Sequence, residues 1–172
     1  MDYGVHLNQS RNWTPARFVM EMQLRYERQF AVPTFRALVE TIPAAQVIGV
    51  WDDHDFAWQN CFGADPGYGM PEKKRIATAF YHHYFAELNR RPLAPALPPL
   101  LMPDVLNPPD GTREVYRALD IGPFRVLLCD GRSFRGRHPP GTKSGDLLGP
   151  AQEAWLFDEL AGPGPFLLIT GS

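Results

Sequence analysis

Three carboxylates and one imidazole stand in a single run, Asp52-Asp53-His54-Asp55. Carboxylates are hard oxygen donors for a divalent or trivalent cation, and an imidazole is a ligand or a proton donor. Crowding such groups costs free energy. Two carboxylates about 4 Å apart repel by roughly 4 kcal/mol at an effective dielectric of 20. If two of these side chains converge, a proton, an arginine or a cation has to offset that repulsion. The same four residues also suit a solvated polar loop with an Asx-turn and a helix cap. Trp51, Phe56 and Trp58 frame the run and argue against full solvation. Partly desolvated carboxylates need partners.

The run must be positioned by what precedes it. Val47, Ile48 and Val50 predict a short buried strand over Gln46 to Trp51. Strand ends are where α/β folds place ligand sites. Thr14-Pro15 predicts a helix start, and Phe18, Met22, Tyr26 and Phe30 form one apolar stripe behind it. Pro33 opens a shorter helix that stops near Ile42-Pro43. Pro71-Glu72 opens a long one, with Ile76, Phe80, Tyr84 and Leu88 in line and Ala77, Tyr81 and Phe85 beside them. Residues 91–111 are too rich in proline for regular helix or central strand; they read as a surface connection whose Leu97, Leu100 and Leu101 pack inward. Glu114 to Leu119 and Phe124 to Cys129 predict a hairpin around Asp120-Ile121-Gly122-Pro123. A loop follows from Asp130 to Leu147. Pro150 then starts a helix with Ala151, Ala154, Trp155 and Leu160 inward and Glu153 and Asp158 more outward. Phe166 to Ser172 reads as a buried strand reaching its exit. Mixed strands and helices make the chain α/β or α+β.

Composition bounds the function. The chain has 172 residues, one domain's worth, with 17 basic and 19 acidic side chains and a formal charge of −2. Such balance argues against a protein built mainly for nucleic acid or an anionic membrane. No apolar run approaches the ~18 residues of a membrane helix. The two cysteines, Cys61 and Cys129, exclude a disulfide scaffold and a cysteine-rich zinc module. Cys61 is read as a buried free thiol rather than a soft ligand. His82 and His83 point about 100° apart on a helix and cannot chelate one ion together; His6 lies in a polar loop with nothing to support a role. Residues 1–14 show no basic start and apolar stretch of a leader, so localisation stays open, as does the oligomeric state. An uncapped start and a strand-like end lead to the expectation of one domain over 1–172 that is part of a longer one.

Trp51-Asp52-Asp53-His54-Asp55-Phe56 resembles the W-D-D-H-D-[YF] signature of PhoD-like alkaline phosphatases and phosphodiesterases, a branch of the metallophosphoesterases. Four further segments agree in order: Phe35 to Pro43, Val115-Tyr116-Arg117, Leu127 to Arg135, and Leu147 to Leu156. The resemblance covers nearly the whole chain. It implies two packed mixed sheets flanked by helices, here incomplete. It implies hydrolysis of a small phosphate mono- or diester at a multi-metal centre, with iron and calcium or other divalent ions. It also implies roles: Asp53 a metal ligand, Asp52 a second, His54 the group that contacts phosphate and protonates the leaving oxygen, and Asp55 the partner that orients His54. Arg132 is implied as a phosphate clamp; a structural Asp130–Arg132 pair is the competing reading. Arg135, Arg137, His138 and Lys143 make that loop locally basic, whether to gather anionic substrate or as a solvated face. Asp2 stands where the last acid of a ligand segment falls, and Asn60 where a ligand asparagine falls. A Gly-Asp-x-His segment of the family is absent. Two rivals follow from that gap: a non-catalytic domain that binds a phosphate-bearing ligand in the same cleft, and a structural fragment without activity.

Overall fold

The structure is a computed structural model; it describes residues 7–58, 60–65, 69–100, 115–136 and 146–171. After a 3-10 turn over Leu7–Asn12, helix α1 spans Pro15–Phe30. Thr14 caps it: its hydroxyl accepts the Arg17 N–H at 3.3 Å, and Pro15 has no first-turn N–H to leave unpaired. Phe18, Met22 and Phe30 are buried, as their spacing predicts. Helix α2 spans Pro33–Thr41, α3 is a single turn over Asp53–Phe56, and α4 spans Met70–Leu88.

Helices α1 and α4 pack together through aromatic rings. The Tyr26 ring stacks on Phe80 with centroids 5.8 Å apart and tilts against Tyr84 at 4.8 Å. Trp51 stands edge-on to Phe56 and Tyr81, at 5.1 and 5.4 Å. Leu93 and Leu97 of the proline-rich stretch join Phe30, Val39 and Leu88 in a second apolar cluster, and Leu100 packs on the first. The connection is thus tethered by its leucines, as expected; Leu101 lies outside the described residues. Arg91 holds the end of α2, donating to the carbonyls of Val39, which also accepts the Ile42 N–H, and of Ile42.

Strands β1 (Arg117–Ile121) and β2 (Phe124–Cys129) form the predicted antiparallel hairpin, turned at Gly122 with φ +56°. Helix α5 (Pro150–Leu160) leads to β3 (Phe166–Thr170), which pairs parallel to β2. The sheet order is β1-β2-β3, with β2 central and buried from Val126 to Cys129. Arg125 of β2 ties the layers by donating to Glu159 of α5 at 2.9 Å and to Asp120 of β1 at 3.1 Å.

The chain is α/β, and the described residues form one three-stranded sheet; a second packed sheet is not seen among them. Three expectations are corrected. Residues 46–51 are extended but are not a strand. Side chains of the α4 region take the place of a ladder. The Val47 N–H donates to Asn89 Oδ1 at 2.8 Å, Asn89 Nδ2 donates to the Val47 carbonyl at 2.8 Å, and the Tyr81 hydroxyl donates to the Gly49 carbonyl. The buried residue of α5 is Gln152, whereas Ala151, Ala154 and Leu160 are exposed; the amide is drawn in by polar partners at the sheet's end. Strand β3 is an edge strand, and its Leu167 and Leu168 are about half exposed. No helix among the described residues is long and apolar enough to cross a membrane.

Candidate functional site

The site grows from the exit of β2. Leu127, Leu128 and Cys129 are buried, and Asp130 follows them fully buried. A buried carboxylate must collect hydrogen bonds. Asp130 Oδ1 accepts three: from Trp51 Nε1 at 2.7 Å and from the backbone N–H groups of Arg132 and Ser133, each at 2.9 Å. Gln152 locks the same turn, accepting the Asp130 N–H at 2.7 Å and donating to the Asp130 carbonyl at 2.9 Å. Lys74 of α4 donates to the Ser133 carbonyl at 2.7 Å and lies over the Phe134 ring at 4.5 Å. The acid-bearing segment is therefore pinned to the strand exit through the indole of Trp51.

This turn aims Arg132 at the acids. Its guanidinium is buried; Nη2 donates to Asp52 Oδ1 at 2.7 Å and lies 4.0 Å from Asp53 Oδ2. The competing reading, an Asp130–Arg132 side-chain pair, is not seen among the described contacts. Asp130 takes the backbone N–H of Arg132, and the side chain serves Asp52 instead. Of the three ways to offset the acidic repulsion, the structure contains the arginine.

The acids themselves start α3. Asp52 is its N-cap, accepting the Asp53 N–H at 2.7 Å, and Asp55 Oδ2 accepts the Asp52 N–H at 3.1 Å, a reciprocal capping box. Asp53 is buried; its Oδ2 accepts the N–H of Asn60, a residue with φ +59° in the left-handed region that asparagine tolerates. His54 is partly exposed, with Nε2 3.9 Å from Asp53 Oδ1. No hydrogen bond joins Asp55 to His54; the two line one small hollow together. Asp52, Asp53, His54, Arg132 and the Asn60 backbone are thus neighbours. Asp2 lies outside the described residues, as do His6, Arg137, His138 and Lys143.

The donor chemistry suits a hard cation: Asp53 and Asp52 offer carboxylate oxygens, and Asp130 Oδ2 is a buried acceptor with no hydrogen-bond partner among the described residues. The number does not suffice. Among the described residues no three His, Cys, Asp or Glu side chains come together as an ion would require. Cys61 does not extend the set. Its buried thiol is pushed up to about 12, chiefly by burial, and lies 4.0 Å from the Met70 sulfur. His82 and His83 are partly buried and apart in role; His83 Nε2 hydrogen-bonds the Pro98 carbonyl at 2.8 Å.

Burial raises the Asp55 carboxyl above its ordinary 3.8, and the Asp52 and Asp53 charges add to that rise; the Asp52 N–H acts the other way. A raised folded-state value means that the fold prefers the protonated acid. That stability is whole below about 3.8 and is lost as pH climbs through the raised value. Asp55→Asn keeps an acceptor for the Asp52 N–H and cannot ionise. Its stability relative to the parent is expected to improve as pH rises above about 3.8 and to level off once pH passes the raised value, read by urea unfolding; a difference independent of pH would refute the assignment.

Sequence reasoning passed over three positioning residues. Trp51 was read as an apolar frame, yet its indole N–H is the tether. Gln152 had no signal beyond its place in a matched motif. Gly63 had none: its N–H donates to the Arg132 carbonyl at 2.8 Å, and an added Cβ would fall 1.8 Å from the Ser133 carbonyl oxygen. Gly63→Ala has to push two backbones apart. The expected cost is about 1–3 kcal/mol, a fall in Tm of roughly 2–12 °C by calorimetry.

An acid–imidazole run and a buried arginine meet at a strand exit of an α/β chain. The model of the PhoD-like phosphatase family matches residues 6–165, and the chain belongs to that family. No curated protein and no solved structure matched the chain.

Proposed function

We propose that this chain hydrolyses phosphate mono- or diesters in a metal-dependent reaction. The observation that supports this most is the meeting of Arg132 with Asp52, Asp53 and His54 within a chain of the PhoD-like family. Asp53, Asp52, Asn60 and Asp2 are the proposed metal ligands, with calcium and iron, or other divalent ions, as the expected metals. An ion held by these residues would supply a solvent nucleophile and would neutralise charge on the phosphoryl oxygens. Arg132 binds the phosphoryl group through guanidinium N–H groups beyond the one on Asp52. His54 gives a proton to the leaving oxygen from its partly exposed ring. Asp55 and Asp52 hold α3, and so the ring of His54, through their reciprocal cap.

The test is turnover of 4-nitrophenyl phosphate and bis(4-nitrophenyl) phosphate with and without chelator. Turnover that disappears with chelator and returns with added divalent ion is expected. Chelator-insensitive turnover counts against the reading. A second reading, a non-catalytic domain for a phosphate-bearing ligand, is favoured by Arg132 pairing with Asp52 where a three-acid set is missing among the described residues. Phosphate binding without turnover, and without tightly held ions by metal analysis, would select it.

A further inference from the structure

The acid pair already has a cation beside it. Arg132 Nη2 donates to Asp52 Oδ1 at 2.7 Å and lies 4.0 Å from Asp53 Oδ2. Asp52 Oδ1 also accepts the Asp53 N–H at 2.7 Å. A carboxylate oxygen has two lone pairs, so this one has both acceptor positions filled. A metal ion coordinates through the same lone pairs. To take Asp52 Oδ1 it has to remove one of the two donors. The Asp53 N–H belongs to the first turn of α3, which the reciprocal cap of Asp52 and Asp55 holds. The guanidinium is the donor that can leave.

Three features favour the guanidinium over an incoming ion. It is anchored: Nη1 donates to the Cys61 carbonyl at 3.4 Å, the Arg132 N–H donates to Asp130 Oδ1, and the Arg132 carbonyl accepts the Gly63 N–H. It is already desolvated, since Arg132 is 5% exposed, whereas an ion sheds water on entry. It also repels any second cation brought beside it. Among the described residues no third His, Cys, Asp or Glu joins the two acids to outweigh these costs.

We infer that Arg132 is the resident counter-cation of this acid pair, and that a metal ion reaches Asp52 and Asp53 only by displacing its guanidinium. The inference rests on the ligand roles proposed above for the two acids, and it holds whether or not an ester is turned over. On the hydrolase reading it makes the ion one that has to be added in excess, because the closed pair holds it weakly. The contact is thus a self-inhibiting one, built by the same turn that presents Arg132 to the site.

The test is ion binding by the full chain, with no turnover involved. The probe is terbium(III), a hard oxygen-seeking ion whose luminescence is excited through nearby tryptophan; Trp51 adjoins Asp52. Arg132→Gln is expected to bind terbium about tenfold or more tightly than the parent, because the competing charge is gone. Adding Asp52→Asn to that variant is expected to return the affinity to the parent's, which places the gain at this pair. Circular dichroism checks the fold of both, and an Arg132→Gln chain that folds only with terbium present supports the inference as well. Equal affinity in parent and folded Arg132→Gln would overturn it. The parent alone gives a second measurement. Millimolar calcium, against sodium chloride of equal ionic strength, is expected to move its Tm by less than about 2 °C; a larger rise would mean that an ion is held with Arg132 in place, and would overturn the inference while leaving the hydrolase reading standing. Failure to turn over the nitrophenyl esters at saturating ion would sink that reading and leave this one intact.

Discussion

His54→Ala is expected to lower kcat for alkyl phosphates by about 10²–10⁴-fold, the range that general acid–base catalysis contributes. The reason is the leaving group. An alkoxide leaves poorly unless it is protonated as the bond to phosphorus breaks. A nitrophenolate leaves well without help, so the loss for 4-nitrophenyl phosphate is expected to be at least tenfold smaller. The dependence on the leaving group separates proton donation from a role in binding, which would weaken both substrates alike. The ring is partly exposed and its nearest acid oxygen is 3.9 Å away. Its removal therefore costs little stability, within about 0.5 kcal/mol. Steady-state kinetics on both substrates and one melting curve check all three statements. An alanine variant that keeps a third of its alkyl phosphatase activity would remove His54 from the reaction.

Asp130→Ala is expected to be the most destabilising single change at the site. The carboxylate is fully buried and its Oδ1 accepts three N–H groups. Alanine strands all three, and each unpaired buried donor costs about 1–3 kcal/mol. The losses do not add fully, because the Arg132–Ser133 turn and Trp51 share one acceptor. A total of about 3–5 kcal/mol follows, or a fall in Tm of roughly 6–20 °C for a chain of this size. Asp130→Asn keeps an oxygen in place and is expected to lose less than half as much. Activity falls with the alanine change as well, because the turn that aims Arg132 at Asp52 is lost. A variant that melts within about 2 °C of the parent would show that the tether is not what holds the acidic run to the strand exit.

Helices α1, α2 and α4 were legible because their causes are local. Thr14-Pro15 caps, and the apolar side chains recur at helical spacing. The β1–β2 hairpin was legible for the same reason, with Gly122 supplying the turn. The faces of α5 and the burial of β3 were not, since periodicity cannot say what lies across from a face. Gln152 is buried in α5 because the backbone of Asp130 is there to receive it. Residues 46–51 carried a strand's composition, but Asn89 and Tyr81 reached their backbone first.

The acidic run divides in the same way. By itself the sequence determined that three carboxylates and an imidazole are adjacent, that aromatic rings frame them, and that charge so crowded needs a partner. The motif order behind that run sufficed to indicate the family. Only the tertiary structure decided which partner the run has: Arg132, 80 residues from Asp52, delivered by a turn that Asp130 organises around the indole of Trp51. Repulsion between neighbours in the chain depends on residue type and spacing alone. The charge that answers it depends on which distant backbone the fold brings within a hydrogen bond's reach.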